Sequence, residues 1–128
     1  MGIFNKMLVT AMPYIPKPIT GFFAKKYVAG SCLEDGLNTV KKLNEQGMCA
    51  TMDVLGEDTT RKEESRKAVD EYMAILASIE KYKLDSNISV KLTHMGLNLD
   101  YDFCYENIRE LVAEANRRGN FVRIDIED

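Results

Sequence analysis

Hydrophobic and polar residues follow a helical period and a strand period in turn along most of this chain. From residue 31 onward, three segments carry apolar residues at helical spacing, and each is followed by a short apolar or alternating segment that favours a strand. The predicted strands are 48–55, 87–92 and 121–126. Helix and strand therefore recur in pairs roughly every 40 residues, which is typical of the βα units of a parallel sheet.

The predicted helices have start signals and apolar faces that define their positions. Ser31 with Glu34, and Thr60 with Glu63, have the spacing of a capping box, and Asp100 is the predicted cap of the third helix. Apolar residues then recur on one face of each helix. The predicted faces consist of Leu33, Leu37, Val40 and Leu43 in the first helix, of Ala68, Tyr72, Leu76 and Ile79 in the second, and of Phe103, Ile108, Leu111 and Ala115 in the third.

This order of elements predicts an α/β fold made of the first three βα units of a (β/α)8 TIM-like barrel. A doubly wound nucleotide-binding sheet is disfavoured because no glycine-rich phosphate motif follows any predicted strand. A complete barrel needs about 250 residues, so we expect the 128 residues to hold an incomplete one, as the first part of a larger protein. We assign residues 31–128 to this truncated barrel.

Residues 1–30 form a separate region, predicted to be an amino-terminal arm of short helices that precedes the barrel. Pro13, Pro16 and Pro18 interrupt an apolar and aromatic stretch there, and proline breaks a helix. Packing against the barrel is one interpretation of this apolar stretch. Peripheral contact with a membrane surface is the alternative, and the pattern leaves both open.

Charge and cysteine content narrow the class of function. The chain has 20 acidic and 17 basic residues, a net charge of −3, and no dense basic stripe, which argues against a nucleic-acid partner. Cys32, Cys49 and Cys104 are scattered and odd in number, which favours a reducing, cytoplasmic location over a disulfide framework. No apolar run approaches the roughly 20 residues needed to cross a bilayer.

Ionisable residues lie near the carboxyl ends of the three predicted strands. Asp53 and Glu57 close the first strand, Lys91 the second and Asp125 the third. Since the carboxyl ends of parallel strands meet at the mouth of a barrel, where substrates bind, we expect these side chains to converge. The alternatives are a solvated strand-end lysine at 91 and, for Asp125, a buried carboxylate that caps a loop or pairs with Arg123.

Two other kinds of site receive less support from the sequence. His94 is the single histidine, and although a histidine suits acid or base catalysis at neutral pH, we interpret it as an incidental loop residue. Asp125, Glu127 and Asp128 have the oxygen ligands that magnesium prefers, but neighbouring strand residues point to opposite faces. Glu127 and Asp128 are therefore predicted to be loop acids, and no metal site is predicted.

Four segments, in matching order and spacing, resemble the amino-terminal half of bacterial monofunctional proline dehydrogenases. They are 27–30 (YVAG), 53–57 (DVLGE), 88–93 (ISVKLT) and 121–128 (FVRIDIED), and the likeness runs from about residue 27 onward. The resemblance implies a distorted (β/α)8 barrel that carries FAD and oxidises L-proline to Δ1-pyrroline-5-carboxylate. It also implies a quinone of the membrane electron-transport chain as electron acceptor, and a cytoplasmic protein with peripheral contact at the inner face of the membrane.

The same resemblance implies roles for four residues. Lys91 is similar to a lysine beside the flavin and the substrate carboxylate, where a fixed ammonium complements the carboxylate. Asp125 is similar to a catalytic aspartate that supports the polar network around substrate and flavin. Glu57 is similar to a glutamate that pairs with a substrate-binding arginine as a gate, and Ile126 to a residue whose backbone lies against the cofactor.

Other parts of the family site lie outside these 128 residues. The adjacent arginines that hold the carboxylate, the tyrosine above the proline ring and most FAD contacts belong to later strands and the last helix. We therefore expect this chain by itself to be inactive and to leave its last strand as an open edge. Two alternatives stay open: a non-catalytic half-barrel fragment, and an aldolase-type barrel enzyme that forms a Schiff base on Lys91.

Overall fold

The computed structural model describes Gly30 and residues 32–126, in which three helices alternate with three strands. The elements are α1 (Leu33–Glu45), β1 (Ala50–Asp53), α2 (Lys62–Tyr82), β2 (Ser86–Lys91), α3 (Tyr101–Arg117) and β3 (Val122–Asp125). The strands form one parallel sheet in the order β1-β2-β3. This confirms the predicted α/β order. The predicted amino-terminal helices and the loop acids Glu127 and Asp128 lie outside the described residues.

The core lies between one face of the sheet and helices α2 and α3. Ile88 and Val90 of β2 pack there against Tyr72 and Leu76 of α2 and Leu111 of α3, and all five are essentially inaccessible to solvent. Burial of such apolar surface is the main favourable contribution to folding. None of the helices in the described part of the chain is long and apolar enough to cross a bilayer.

The predicted apolar faces hold well for α2 and less well for α1. All four residues predicted for α2 are buried, and Leu111 and Ala115 are buried in α3. In α1 only Val40 is buried, and Leu33 is exposed. The helical spacing predicts α1 correctly, but the helix contacts little of the sheet beyond β1, so its apolar face is only partly covered.

Two of the three predicted caps are displaced by one residue. The N-cap of α1 is Cys32 and not Ser31, and no side chain caps this helix. At the start of α2, the carboxylate of Glu64, and not of Glu63, accepts hydrogen bonds from the backbone N–H groups of Thr60 and Arg61 at 3.0 and 3.2 Å. The N-cap is the last residue with extended backbone, which here is Arg61.

The cap of α3 is the predicted one. The Asp100 carboxylate accepts a hydrogen bond from the backbone N–H of Phe103 at 3.0 Å, and it lies 2.6 Å from the Lys62 ammonium on α2. Both contacts hold the pKa of Asp100 below its usual range, the ammonium contributing most. A single carboxylate thus ends the loop after β2 and connects it to the neighbouring helix.

The face of the sheet away from the helices is polar. It carries Thr51 and Asp53 of β1, Asn87, Ser89 and Lys91 of β2, and Arg123 and Asp125 of β3. The register aligns these residues in rows, because Thr51 is opposite Asn87, Ser89 lies between Asp53 and Arg123, and Lys91 is opposite Asp125. We call the end of the sheet formed by Asp53, Lys91, Asp125 and the loops that follow them the carboxyl edge.

Candidate functional site

Lys91 and Glu57 meet at the carboxyl edge. Lys91 is the last residue of β2, and Glu57 lies in the loop that follows β1. The Lys91 Nζ atom is 3.5 Å from Glu57 Oε2, and the side chain of Lys91 is 24% exposed. A pair this close to solvent contributes about 0–1 kcal/mol to stability, so its main effect is to direct the ammonium.

Asp125 lies beside Lys91 in the next strand. The two residues are opposite each other in the parallel register of β2 and β3, so their side chains leave the same face of the sheet. The sequence left open a structural pairing of Asp125 with Arg123. Within the described residues, no hydrogen bond or ion pair joins these two side chains. The structure therefore places an exposed carboxylate next to the strand-end lysine.

The Asp53 carboxylate is held by Tyr72, which the sequence predicted only as a core residue of α2. The Tyr72 hydroxyl, on α2, lies 2.7 Å from the Asp53 carboxylate and 2.8 Å from the Ser89 carbonyl oxygen. It also accepts a hydrogen bond from the Val54 backbone N–H at 3.1 Å. Burial raises the pKa of Tyr72, and the hydrogen bond to Asp53 raises it further, so the hydroxyl stays protonated. The one available signal was that a buried tyrosine hydroxyl needs a polar partner.

The loops after β1 and β2 are joined to each other by side chains. Thr59 Oγ1 donates a hydrogen bond to the Thr93 carbonyl at 3.1 Å and lies 2.8 Å from the Ser65 hydroxyl. Asn98 Nδ2 donates to the Asp58 carboxylate at 3.0 Å, and Asp58 has a φ of +48°, a conformation that aspartate tolerates better than most residues. These contacts hold the backbone immediately after Glu57.

His94 is buried in the loop after β2, which differs from the incidental loop residue expected from the sequence. Its side chain packs on Gly56 so closely that a Cβ atom at position 56 would lie 2.4 Å from His94 Nε2. His94 is 8% exposed, and its Nδ1 atom is buried with no hydrogen-bond partner among the described residues. Glycine is required at position 56 because the His94 imidazole occupies the space that a side chain would fill. The sequence does not predict this contact, because it joins two separate loops.

The buried imidazole predicts a specific pH dependence of stability. Burial lowers the pKa of His94 below its ordinary 6.5, although the nearby carboxylates of Asp53 and Glu71 act in the opposite direction. The unfolded chain therefore binds a proton first as the pH falls, so the free energy of unfolding should decrease below about pH 6.5. Urea unfolding of the wild type should show this loss between about pH 7.5 and about pH 5. His94→Gln should show a smaller loss over the same interval, and an unchanged pH dependence would contradict the assignment.

Ile126 follows β3 at the carboxyl edge. Strand alternation places its side chain on the same face as Val122 and Ile124, whereas its backbone lies at the end of the strand. The cofactor contact expected of Ile126 is through its backbone and stays a prediction. In the described part of the chain, no group of three His, Cys, Asp or Glu side chains could hold a metal ion.

Comparisons with known proteins agree on one family. Residues 36–128 match the sequence profile described as proline dehydrogenase. The chain is 36% identical over 105 residues to proline dehydrogenase 1 of Bacillus subtilis subsp. natto, and 34% identical over 105 residues to proline dehydrogenase 2 of Bacillus subtilis strain 168. In both cases the match covers 82% of this chain and about 35% of the relative, so the chain spans about a third of the length of these curated relatives.

A solved structure gives the same fold. Proline utilization A from Bdellovibrio bacteriovorus, in the form inactivated by N-propargylglycine, matches with a TM-score of 0.72 and 22% sequence identity. The match covers 82% of this chain and 14% of that chain. Together with the three parallel strands, this likeness confirms the predicted α/β fold class.

Proposed function

Because this chain belongs to the proline dehydrogenase family, we propose that it supplies the first three βα units of a (β/α)8 barrel that oxidises L-proline to Δ1-pyrroline-5-carboxylate. The observation that carries the proposal is the convergence of Lys91, Glu57 and Asp125 at one edge of the sheet. The chain spans about a third of its curated relatives, so the activity belongs to the complete barrel.

Lys91 is the proposed binding group for the carboxylate of proline. Its ammonium is partly shielded from water and directed by Glu57, which makes a charge-assisted hydrogen bond to a substrate carboxylate stronger than at an exposed lysine. Glu57 holds this ammonium at the carboxyl edge, in the position where it receives the incoming carboxylate. In this role Glu57 acts as a gate, with Lys91 rather than an arginine as its partner among the described residues.

Asp125 is the proposed catalytic residue, in contact with the substrate or the cofactor. Its carboxylate leaves the sheet on the same face as Lys91, and the residue is exposed. It therefore places negative charge where the ammonium and the bound substrate need a counter-charge. Removing Asp125 should affect the reacting state more than the fold.

FAD is the proposed cofactor, and the carboxyl edge fits its contact surface. Leu55 and Ile126 follow β1 and β3 at this edge and expose 79% and 75% of their surface, and Lys91 and Asp125 supply polar groups there. Apolar surface beside a few fixed polar groups is typical of cofactor sites. When bound, the flavin would accept a hydride from a C–H bond next to the proline nitrogen, and the nitrogen would lose a proton as the C–N bond becomes a C=N bond. The Ile126 backbone would help to hold it, and Lys91 and Asp125 would orient the substrate.

The electron acceptor and the location complete the proposal. A quinone of the membrane electron-transport chain would reoxidise the flavin, and the protein would be cytoplasmic with peripheral contact at the inner face of the membrane. Support for these two points is the resemblance to the family alone.

The complete barrel should bind flavin and oxidise proline. Purified from an expression host, it should be yellow, and it should reduce an artificial electron-acceptor dye when L-proline is added. D-Proline is the matched control, since it carries the same groups in the opposite arrangement. A colourless protein with no proline-dependent reduction would remove the proposed function.

The Schiff-base alternative requires Lys91 as a free amine. The Glu57 carboxylate at 3.5 Å favours the ammonium form and so opposes that chemistry. Borohydride should therefore trap no adduct on Lys91 when a carbonyl substrate is present.

A further inference from the structure

The Tyr72 hydroxyl occupies an unusual place between two strands of the sheet. Tyr72 lies in the middle of α2 with its side chain fully buried, yet its hydroxyl reaches the point where β1 leaves β2. There it contacts the Asp53 carboxylate, the Val54 N–H and the Ser89 carbonyl, at 2.7, 3.1 and 2.8 Å. One oxygen atom thus connects a helix to the end of β1 and to the neighbouring residue of β2.

The core does not require this hydroxyl for packing. A phenylalanine at the same position would fill nearly the same volume and bury the same ring. A phenol has a single hydrogen, which it donates to one of the two acceptors at a time, while its oxygen accepts from the Val54 N–H. The hydroxyl therefore satisfies a backbone donor at the first residue after β1, and it restrains the carboxylate of Asp53.

That first residue determines where the following loop goes. The pairing of β1 with β2 ends at Asp53 opposite Ser89, whereas β2 continues to Lys91. Val54 is thus where the backbone departs from the sheet, and Glu57 follows three residues later. The hydroxyl fixes the start of this loop, just as the packing of His94 on Gly56 fixes its middle.

We propose that Tyr72 is a positioning residue for substrate binding, whose hydroxyl holds Asp53 and Val54 so that Glu57 meets Lys91 at the carboxyl edge. The proposal rests on the proposed function, because it assigns Tyr72 an effect on proline binding through the loop that carries Glu57. Tyr72 itself is buried behind the strands and contacts no substrate.

Tyr72→Phe in the complete barrel tests the proposal. The KM for proline should rise about tenfold, which is the size expected when the contact between the Lys91 ammonium and the proline carboxylate is weakened. The kcat should change by less than about twofold. In a Glu57→Gln background, Tyr72→Phe should raise the KM no further, because the hydroxyl acts through Glu57. Two controls belong with it: Tyr82→Phe removes an exposed hydroxyl from the same helix, and Ile79→Val loosens the core at the end of α2 away from the site.

Hydrogen exchange gives a second measurement that does not depend on activity. Amides of residues 54–61 should exchange faster in Tyr72→Phe than in the wild type, and faster than in Ile79→Val at a comparable loss of melting temperature. An unchanged KM, an unchanged exchange of residues 54–61, or a KM that rises equally in Ile79→Val would each overturn the proposal. If the wild-type barrel oxidised no proline, the proposed function would fall, and the exchange of residues 54–61 would still decide whether Tyr72 holds the loop.

Discussion

Lys91→Ala in the complete barrel should raise the KM for proline by roughly ten- to a hundredfold while the flavin stays bound. The substitution removes a charge-assisted hydrogen bond to the substrate carboxylate, which contributes roughly 1.5–3 kcal/mol. The partial burial of Lys91 limits screening by water and salt, so the effect should exceed that of a surface lysine. Steady-state kinetics with L-proline, and the absorbance of the bound flavin, measure both parts of the prediction.

The specificity of the Lys91 effect can be checked with a second substrate and a second lysine. Pyrrolidine lacks the carboxylate, so its oxidation should be nearly the same in Lys91→Ala and in the wild type. Lys67→Ala is the matched control, because Lys67 is a highly exposed lysine whose partner, Glu71, lies one turn away on the same helix. Wild-type kinetics in Lys91→Ala would mean that Lys91 is a solvated strand-end lysine.

Asp125→Ala should lower kcat by about ten- to a hundredfold with little change in melting temperature. The residue lies at the exposed end of β3 opposite Lys91 in register, and no hydrogen bond or ion pair joins its side chain to the core in the described part of the chain. Its charge should therefore act on the bound substrate or flavin and contribute little to stability. Turnover at saturating proline and thermal unfolding should be measured on the same preparation.

An aspartate away from the site provides the control for Asp125. Asp70 is exposed on α2, and Asp70→Ala should leave kcat unchanged. Asp125→Asn separates charge from shape, since it keeps the size of the side chain and should lose turnover nearly as far as Asp125→Ala. A large fall in melting temperature with normal kcat would make Asp125 a structural residue.

The sequence predicted the fold correctly for helices that bury one apolar face against the sheet. The helical spacing in α2 predicted four buried residues correctly because that helix covers the centre of the sheet. The caps of α1 and α2 were less accurate because the local pattern does not show where the backbone turns from extended to helical. Arg61 is the N-cap of α2, although arginine is not among the residues preferred at that position. The path of the preceding loop, and not the side chain, determines where this helix begins.

In the candidate site, too, some contacts could be predicted from the sequence and others could not. The approach of Lys91 and Asp125 follows from strand ends and parallel register, both of which the sequence pattern determines. The contact of Tyr72 with Asp53, and of His94 with Gly56, depends on how a helix or a loop lies against a strand end. No spacing rule encodes such contacts, so the sequence could indicate a core tyrosine and an isolated histidine but not their partners.

The two side-chain links between the loops after β1 and β2 have a consequence for binding thermodynamics. Because Thr59 bonds to the Thr93 carbonyl, and Asn98 bonds to Asp58, the loss of conformational entropy on ordering these loops occurs during folding. A small ligand at the carboxyl edge then finds both loops in place, and its binding free energy is not reduced by ordering them. Affinity at this edge is therefore coupled to local stability: a substitution that loosens either link, without touching the ligand, should weaken binding through its entropy.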